Sequence, residues 1–330
     1  MAVAIQRMIM KRFLIIIILM LSGRVLFAQQ DAQQSQYMFN GIYINPAYAG
    51  YKENLNFHSY FRSQWTGIEG APKSMSLAVD AIANNGNVGL ALQISNDRLG
   101  AQTNLSAYAN YAYRLRMNAE GTSRLAFGLG IGAMQLGING ALLNPNDPEP
   151  NLVPGMQSTI VPDGRVGVFY SDDKYYAGLS ADNLISQFIN VRNRGYIAQP
   201  KPHYYLTGGA LFPLSEDVLI KPSVLLKDDA GGPTSLDLNA FIMFGQRFWV
   251  GGSYRTGVKL YQKSYLQSDL SNLNSFVAAM ELFPLENLRV GYAYDVSIGP
   301  LKGYSGGSHE ISIGFYIKTQ KTRMLTPRFF

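Results

Sequence analysis

Apolar side chains recur at every second position in at least six stretches of this chain, and that period of two constrains the fold more than any other feature. Ser74–Ala81 reads SMSLAVDA and Val88–Ser95 reads VGLALQIS. Successive side chains of a β-strand point to opposite faces. Met75, Leu77 and Val79 therefore line one face, while serine and aspartate line the other. The pattern predicts a sheet with one apolar and one polar surface.

An export signal is predicted over residues 1–28. This segment holds four basic residues, no acidic residue and the apolar run Phe13–Leu21, and it ends at Ala28 before two glutamines. A basic start, a short apolar run and a small residue are typical of a signal peptide, here cleaved after Ala28. The alternative is a transmembrane helix, but the run is shorter than the roughly 20 residues needed to cross about 30 Å of hydrocarbon.

Exported chains with such strands are typical of outer-membrane β-barrels, which turn apolar side chains to lipid and polar ones to the lumen. We therefore expect an all-β transmembrane antiparallel barrel in the outer membrane of a Gram-negative cell; a soluble β protein is the alternative. No Cys is present, so a disulfide framework and a thiolate nucleophile are excluded. The signal holds four of the 28 basic residues, which leaves 24 against 22 acidic ones, or +2, and this balance does not predict nucleic-acid binding.

About fourteen strands can be placed, an even number as in single-chain bacterial barrels, and most approach the 9–11 residues of a tilted spanning strand. The barrel is predicted over residues 53–318, after a periplasmic lead-in at 29–52 and before a C-terminal tail at 319–330. The strands are expected near residues 54–65, 73–83, 87–96, 101–116, 123–136, 164–172, 174–181, 202–212, 217–227, 234–244, 247–256, 272–283, 287–296 and 308–318.

The connections predict how the barrel is oriented. Those after even-numbered strands are short, as at Asn85-Gly86, where both residues tolerate the positive φ of a tight hairpin. Those after odd-numbered strands are longer on average, with the longest at 137–163, 182–201 and 257–271. Because bacterial barrels have short periplasmic turns and longer external loops, both termini are expected in the periplasm.

The polar parity of the strands predicts the residues that face the lumen. Acidic and basic residues are mixed among them, which argues against a strongly ion-selective pore, since such a pore presents one sign of charge. A three-residue turn at Pro284 would set Glu281 opposite Arg289 across a hairpin. The predicted lumen residues are His58, Arg62, Asp80, Gln93, Asn110, Arg114, Asp237, Asn239, Glu281, Arg289, Asp295 and Glu310.

No catalytic, cofactor-binding or metal site is predicted. The three histidines, His58, His203 and His309, lack a second ligand at metal-binding spacing. Gly128-x-Gly130-x-Gly132 looks like a phosphate-binding loop, but it lies inside an alternating strand and opens no helix, so relief of crowding in the lumen is the better interpretation. An enzyme is not expected; a hydrolase triad assembled from separate strands is the alternative left open.

Three groups of residues carry a family resemblance. They are Gln36-Tyr37-Met38-Phe39-Asn40 with Asn45-Pro46-Ala47-Tyr48-Ala49-Gly50; Arg62-x-Gln64-Trp65-x-Gly67-x-x-Gly70-Ala71-Pro72-Lys73 with Ser76, Asp80 and Asn96-Asp97-x-x-Gly100; and Ser308-His309-Glu310-Ile311 with Pro327-Arg328-Phe329-Phe330. In this combination the chain resembles the PorP/SprF family of type IX secretion system membrane proteins. It departs from the family pattern at Gly41, where Pro is frequent, and at Phe329, where Tyr is frequent.

The resemblance implies a non-enzymatic outer-membrane component of the type IX secretion and gliding motility machinery in a Bacteroidetes-like cell. It would assist the secretion or surface anchoring of an adhesin-like cargo with a C-terminal sorting domain. The other implied partners are periplasmic lipoprotein and peptidoglycan-binding components of the machinery, the lipid bilayer and lipopolysaccharide, without nucleic acid. Because a barrel of this size is too narrow for a large folded protein, an accessory or anchoring barrel is expected. A passive porin or hydrophobic-solute channel is the alternative.

The family-signature residues have two interpretations. They either shape the barrel and its first hairpin, or the lead-in and the C-terminal residues form a periplasmic docking surface with exposed aromatic side chains. The candidate residues are Tyr37, Met38, Phe39, Asn45, Pro46, Tyr48, Gly50, Arg62, Trp65, Gly70, Pro72, Pro327, Arg328 and Phe330.

Overall fold

Each alternating stretch forms a strand that pairs antiparallel with its neighbours along the chain. The computed structural model describes residues 33–143, 155–191, 197–229, 232–263, 274–298 and 302–317. The strands are β1 (Leu55–Ser63), β2 (Lys73–Ala83), β3 (Val88–Leu99), β4 (Gln102–Arg116), β5 (Arg124–Asn139), β6 (Met156–Ser171), β7 (Tyr175–Asp182), β8 (His203–Ala210), β9 (Val218–Asp229), β10 (Thr234–Phe244), β11 (Phe248–Val258), β12 (Ser275–Leu285), β13 (Leu288–Ser297) and β14 (Ser308–Ile317). Beyond Leu211, Phe212–Pro213 continues β8 along β9. Short 3-10 turns lie at Gly41–Tyr43, Pro46–Tyr48, Asn84–Gly86, Gly140–Leu142 and Ser186–Phe188.

Pairing between the last and first strands closes the sheet into a barrel. β14 and β1 are in register from the Leu55–Ile317 pair to the Ser63–His309 pair, and β9 pairs with β10 to complete the ring. A closed sheet has no free edge and satisfies its own backbone N–H and C=O groups. The predicted all-β antiparallel barrel of fourteen strands is confirmed. Among the described residues, no helix is both long and apolar enough to cross a membrane.

The two faces of the sheet carry different side chains. Leu77, Leu92, Leu129 and Ile313 are each at least half exposed on the outer face. All twelve side chains predicted to face the lumen are buried, with at most 6% of their surface exposed. The barrel is therefore apolar outside and polar inside, as the alternation predicts.

The strand that departs most from its predicted bounds is β6. β6 begins at Met156, whereas the sequence placed its start at 164 and assigned the preceding residues to a loop. The added part of β6 includes Pro162, although proline cannot donate a backbone N–H to a ladder and is unfavourable in a central strand. In the structure, Pro162 pairs with β5 at Ala133, while pairing of β6 with β7 starts only at Val166. Pro162 therefore lies where one side of the strand has no partner strand to require its N–H.

The hairpin around Pro284 also differs from the prediction. Two residues separate Leu285 from Leu288, and the register shifts between Leu282 and Leu285, so Glu281 is paired with Gly291 and not with Arg289. The predicted direct opposition is wrong because proline interrupts the ladder and the strand bulges there. The charges nevertheless lie close to one another, with Arg289 Nη1 at 4.0 Å from Glu281 Oε1.

The barrel has two distinct ends. We call the end with the connections after even-numbered strands the turn end; it includes the Asn84–Gly86 turn and the start of β1. We call the opposite end, with the connections after odd-numbered strands, the loop end. One connection at the loop end is short, since only Gly100 and Ala101 separate β3 from β4.

The apolar core lies in the lumen and is built around the segment before β1. In the structure, the lead-in comprises residues 33–54, which are the described part of the predicted segment 29–52 and the two residues before β1. Its Tyr37, Met38 and Phe39 join Phe241 and Trp249 in one buried cluster. Further along, its small and aromatic residues pack against four alanines of the wall, Ala78, Ala91, Ala112 and Ala126. The prediction of a lead-in outside the barrel is therefore wrong for its described part.

Replacing Leu129 by Arg tests whether the outer face meets lipid. Leu129 lies near the middle of β5 and is 54% exposed. Arginine on a lipid-facing position costs about 2–4 kcal/mol at the bilayer midplane and about 0–1 kcal/mol near the interfaces. We expect Leu129→Arg to lower the free energy of unfolding from vesicles by the larger amount, measured by urea titration. Ile68→Arg, in the loop between β1 and β2, is the matched control, and equal losses at both positions would contradict the assignment.

Candidate functional site in the plugged lumen

The lead-in crosses the lumen from the loop end to the turn end. At its start, Gln33 Oε1 accepts a hydrogen bond of 3.3 Å from Arg255, three residues before the loop end of β11. At its other end, Glu53 contacts Arg114 and Arg124 beside the turn end. The segment then enters β1 at Leu55.

Buried ionic groups hold the start of the lead-in. The backbone N–H groups of Ser35 and Gln36 donate to the two carboxylate oxygens of Glu310 at 2.7 and 2.9 Å. Ser35 Oγ donates to Asp295 at 2.9 Å. Arg62 bridges both acids, with nitrogen–oxygen distances of 2.6 Å to Asp295 and 3.2 Å to Glu310. We call Arg62, Asp295 and Glu310 the clamp.

The buried charges of the clamp are satisfied in part by hydrogen bonds from the lead-in. All three clamp side chains are at least 94% buried, and a buried ion pair is stable only when further hydrogen bonds satisfy its remaining polar atoms. The N–H groups of Ser35 and Gln36 supply such bonds to Glu310. Without the lead-in, the carboxylate of Glu310 would lose two charge-assisted hydrogen bonds, which are stronger than neutral ones.

The middle of the lead-in packs on the wall formed by β8 to β12. The rings of Phe39 and Phe241 meet edge to face at 5.3 Å between centroids. Tyr37 Oη accepts a hydrogen bond of 2.7 Å from Asn239, and the carbonyl of Met38 accepts one of 2.9 Å from Lys221. Apolar burial and hydrogen bonding together therefore fix this part of the segment.

Asn45 connects the lead-in to the opposite wall. Its Oδ1 caps the Pro46–Tyr48 turn by accepting from Ala47 N at 2.9 Å, and its Nδ2 donates to the carbonyl of Val168 in β6 at 3.1 Å. Proline at the first position of such a turn loses no hydrogen bond. Asn45 and Pro46 thus follow the Gly41–Tyr43 turn directly and begin the Pro46–Tyr48 turn, and Asn45 also bonds this second turn to β6. This role gives a physical reason for the Asn-Pro pair in the sequence signature.

Glycines on the inner wall leave space for the lead-in. A Cβ on Gly128 would lie 2.1 Å from the backbone nitrogen of Ala47, and a Cβ on Gly89 would lie 1.8 Å from the carbonyl oxygen of Ala49. Neither position could carry a side chain while the lead-in is seated. The interpretation of Gly128 as a relief of crowding in the lumen is confirmed, and the crowding group is the lead-in.

A second set of charges closes the turn end. Glu53 Oε1 lies 2.8 Å from Arg114 Nη2 and 3.1 Å from Arg124 Nε. Both arginines also donate to the carbonyl of Gly86 in the β2–β3 turn, at 3.1 and 3.0 Å. The end of the lead-in is therefore tied to two strands and one turn of the barrel.

An open cavity remains above the lead-in at the loop end. This vestibule has a volume of about 340 Å³ and is lined by Gln33 of the lead-in, by Arg62 and Arg255, and by Leu136 and Ile138 of β5. One wall is thus apolar and the other ionic. A second, smaller cavity of about 100 Å³ lies next to the vestibule and borders Tyr37 and Tyr43 of the lead-in.

The predicted site residues fall into three places. Within the lumen, all buried, lie Tyr37, Met38, Phe39, Asn45, Pro46, Tyr48, Gly50 and Arg62. At the loop end lie Trp65, Gly70 and Pro72. The backbone N–H of Trp65 donates to Ser308 Oγ at 3.2 Å, and Gly70 has a φ of 71°. Outside the described residues lie Pro327, Arg328 and Phe330. The expectation that the lead-in exposes its aromatic side chains is wrong, because the lumen supplies the core that the sequence did not reveal.

Sequence reasoning missed the clamp as a unit. The sequence predicts lumenal positions for Asp295 and Glu310 and places Gln36 in a family-signature motif, but it predicts no contact between them and does not identify Ser35. The one available signal was an acidic residue at the lumenal parity of each of two neighbouring strands. Within the described residues, no group of three His, Asp or Glu side chains is placed to hold a metal ion.

Comparison with known families identifies the chain. The family model described as type IX secretion system membrane protein PorP/SprF matches residues 26–315. The chain belongs to the PorP/SprF family. Membership implies an outer-membrane component of the type IX secretion system, and the closed barrel agrees with that location.

Comparison with individual proteins adds little. No curated protein matches the chain. Solved structures that are similar include the KdgM porin (8% identity, 80% of this chain and 99% of that chain, TM-score 0.38), Omp33 of Acinetobacter baumannii (6%, 81% and 100%, 0.43) and BamA of Haemophilus ducreyi lacking POTRA domains 1–3 (10%, 80% and 70%, 0.43). TM-scores this low support no argument about function.

Gly128→Val should unseat the lead-in. Its side chain would occupy the position of Ala47, so we expect ion conductance in planar bilayers where the parent protein is closed. Gly208→Ala is the control, because a Cβ there meets no atom closer than 3.7 Å. Heat-modifiable migration in gels would verify that both variants form barrels. A folded Gly128→Val barrel as silent as the parent would contradict the role of the lead-in as the plug.

Proposed function

We propose that this protein is a closed, non-enzymatic accessory barrel of the type IX secretion and gliding motility machinery. It assists the secretion or surface anchoring of an adhesin-like cargo with a C-terminal sorting domain, and it does not itself conduct that cargo. The supporting observation is that residues 33–54 occupy the lumen, where they form two buried clusters with the inner wall.

The lead-in makes transport of a polypeptide through this lumen costly. Opening the lumen would break the clamp contacts of Ser35 and Gln36, the aromatic contact of Phe39 and the anchor of Asn45. Leaving one buried polar group without its hydrogen-bond partner costs about 1–3 kcal/mol, and more when that group is charged, as Glu310 is. Even an empty barrel of this strand number is narrower than 16–18-stranded porins, which form small aqueous channels. Cargo therefore crosses the membrane elsewhere.

The two ends suit different partners. Short turns face the periplasm in bacterial barrels, so the turn end would meet the periplasmic lipoprotein and peptidoglycan-binding components of a Bacteroidetes-like envelope. The loop end would meet exported cargo and lipopolysaccharide. The docking role of the buried signature residues is then indirect, since they hold the barrel closed. Docking through Pro327, Arg328 and Phe330 stays a prediction.

A passive porin or solute channel is the second candidate, and the vestibule favours it. The vestibule is open at the loop end and has a mixed apolar and ionic lining. A porin, however, needs a continuous path, and the lead-in separates the vestibule from the turn end. Steady single-channel conductance by the unmodified protein would favour the porin.

A disulfide that locks the lead-in can separate an accessory from a conducting role. The chain has no Cys, so Asn45→Cys with Gly167→Cys would create a single defined bridge. A Cβ at Gly167 would lie 2.9 Å from Asn45 Cγ, the atom whose place the sulfur of a cysteine would take. Asn45 Cβ is one bond further along the side chain, so the Cβ–Cβ distance of about 3.5–4.5 Å that a disulfide needs is within reach. We expect cells lacking the protein to lose surface cargo, and the oxidised double variant to restore it as fully as the parent, measured by antibody labelling of intact cells.

The two single-cysteine variants control for damage to the Asn45 cap and to the wall. Restoration by both single variants, but by the double variant only after addition of a reductant, would show that the lumen must open and would reject the accessory role. Normal surface cargo in cells without the protein would reject assistance altogether.

A further inference from the structure

Two basic side chains lie opposite each other on the outer face of the barrel, at its loop end. Lys73 is the first residue of β2, Arg98 precedes the last residue of β3, and the two are aligned across the pair of strands. Both are exposed. Lys73 has the same parity as Met75 and Leu77, and Arg98 has the same parity as Ile94, and these apolar residues are each at least half exposed on the outer face. Both cations therefore point away from the lumen.

This pair of cations lacks a balancing charge in the protein. Like charges directly opposite on one face of a sheet are destabilising, since their Cβ atoms lie only about 4.5–5.5 Å apart. The flanking positions in the same row, Ser63 on β1 and Thr103 on β4, are neutral. Within the described residues, neither Lys73 nor Arg98 forms an ion pair. An anion beside the pair would remove this cost.

The pair belongs to a longer row of side chains that can donate hydrogen bonds. Six adjacent strands, β13, β14 and β1 to β4, each contribute one side chain, aligned with the next across the sheet. None of the six is acidic, and each carries an N–H or O–H group. We call this set the donor row; in spatial order its members are Tyr294, His309, Ser63, Lys73, Arg98 and Thr103.

The donor row borders apolar surface. Two residues further from the loop end, the next outward-facing row holds Ile311, Phe61, Met75 and Leu105, with Asn96 between the last two. The four apolar side chains are 43–55% exposed. A ligand with an anionic head and an apolar chain could therefore contact both rows at once, whereas a soluble anion could use the donor row alone.

The opposite end of the same wall has no such row. At the turn end, the outward-facing positions on β2 to β5 are Ala83, Val88, Tyr113 and Phe127, aligned across the four strands. These four side chains are uncharged. The cations therefore mark only one rim of this part of the barrel.

We propose that the donor row binds a phosphate group of lipopolysaccharide, with Lys73 and Arg98 on the phosphate and an acyl chain along Met75 and Leu77. Arginine forms two parallel hydrogen bonds to a phosphate, and lysine adds a compact positive charge. The phosphate removes the repulsion between the two cations. That the lipid lies in the outer leaflet rests on the orientation given under the proposed function; binding of a phosphorylated lipid to this rim does not.

Binding of lipid A to the purified barrel in detergent tests the site without any assumption about orientation. The probes are lipid A with both phosphates and the same lipid after their removal, and native mass spectrometry measures the affinity. The test variant combines Lys73→Gln with Arg98→Gln. The matched control combines Lys174→Gln with Arg247→Gln, which removes two exposed cations from turns at the turn end.

We expect the test variant to bind phosphorylated lipid A about 25-fold more weakly than the parent, because each Lys or Arg beside an anionic lipid surface contributes about fivefold. The control should bind like the parent. Lipid A without phosphates should bind parent and test variant equally. In lipid-free detergent the test variant should unfold at the parent's temperature or higher, because it lacks the opposed like charges, and this separates loss of binding from loss of folding.

Three results would overturn the site: equal affinity of parent and test variant for phosphorylated lipid A, equal losses in the test and control variants, or displacement of the lipid by an equal concentration of inorganic phosphate. Orientation is tested separately with Glu69→Cys, whose thiol in the β1–β2 loop would be unique because the chain has no Cys. We expect an impermeant maleimide to label it on intact cells. Labelling only after permeabilisation would reject the outer leaflet and the proposed orientation, while the binding result would still stand.

Discussion

The hydrogen-bonded seam between β14 and β1 is the constraint on which the rest of the molecule depends. Nine residue pairs align along it, from Leu55 with Ile317 to Ser63 with His309. Only a closed sheet can turn an apolar face to hydrocarbon without leaving an unpaired backbone edge. Closure also creates an interior, and that interior explains why one parity of every strand can be polar or small.

The interior is filled by complementarity between the wall and the lead-in. In most domains two layers of secondary structure bury each other's apolar faces. Here the apolar face of the sheet points out of the barrel, so it cannot pack against the lead-in. The inner face binds the lead-in through small residues and polar groups. Glycines admit the backbone at Ala47 and Ala49, and the clamp receives the N–H groups of Ser35 and Gln36. Each of these hydrogen bonds contributes little net stability on its own. Loss of one, however, leaves a buried polar atom without a partner, and that loss lowers the stability of the protein by more than the bond contributed.

Much of the wall could be predicted from the sequence, because alternation is a local property. The strand number and all twelve lumen residues agree with the structure. The start of β6 and the register of the β12–β13 hairpin differ from the prediction, and each of these places contains a proline, Pro162 or Pro284. The effect of a proline on a strand depends on whether a neighbouring strand needs the missing N–H, which the local sequence does not reveal. The lead-in could not be placed, because its partners are remote: Ser35 and Glu310 are separated by 275 positions. Its buried aromatics looked unsupported in the sequence, although Gly128 on the opposing wall was already assigned to relief of crowding.

The contact between Ser35 and Glu310 has a consequence for biogenesis. Translation makes the lead-in before any strand, yet its uppermost anchor belongs to the final strand. The segment therefore cannot be held by this contact until β14 is in place. Closure of the wall and fixation of its occupant are thus coupled, because residues made early in translation are retained by the strand made last.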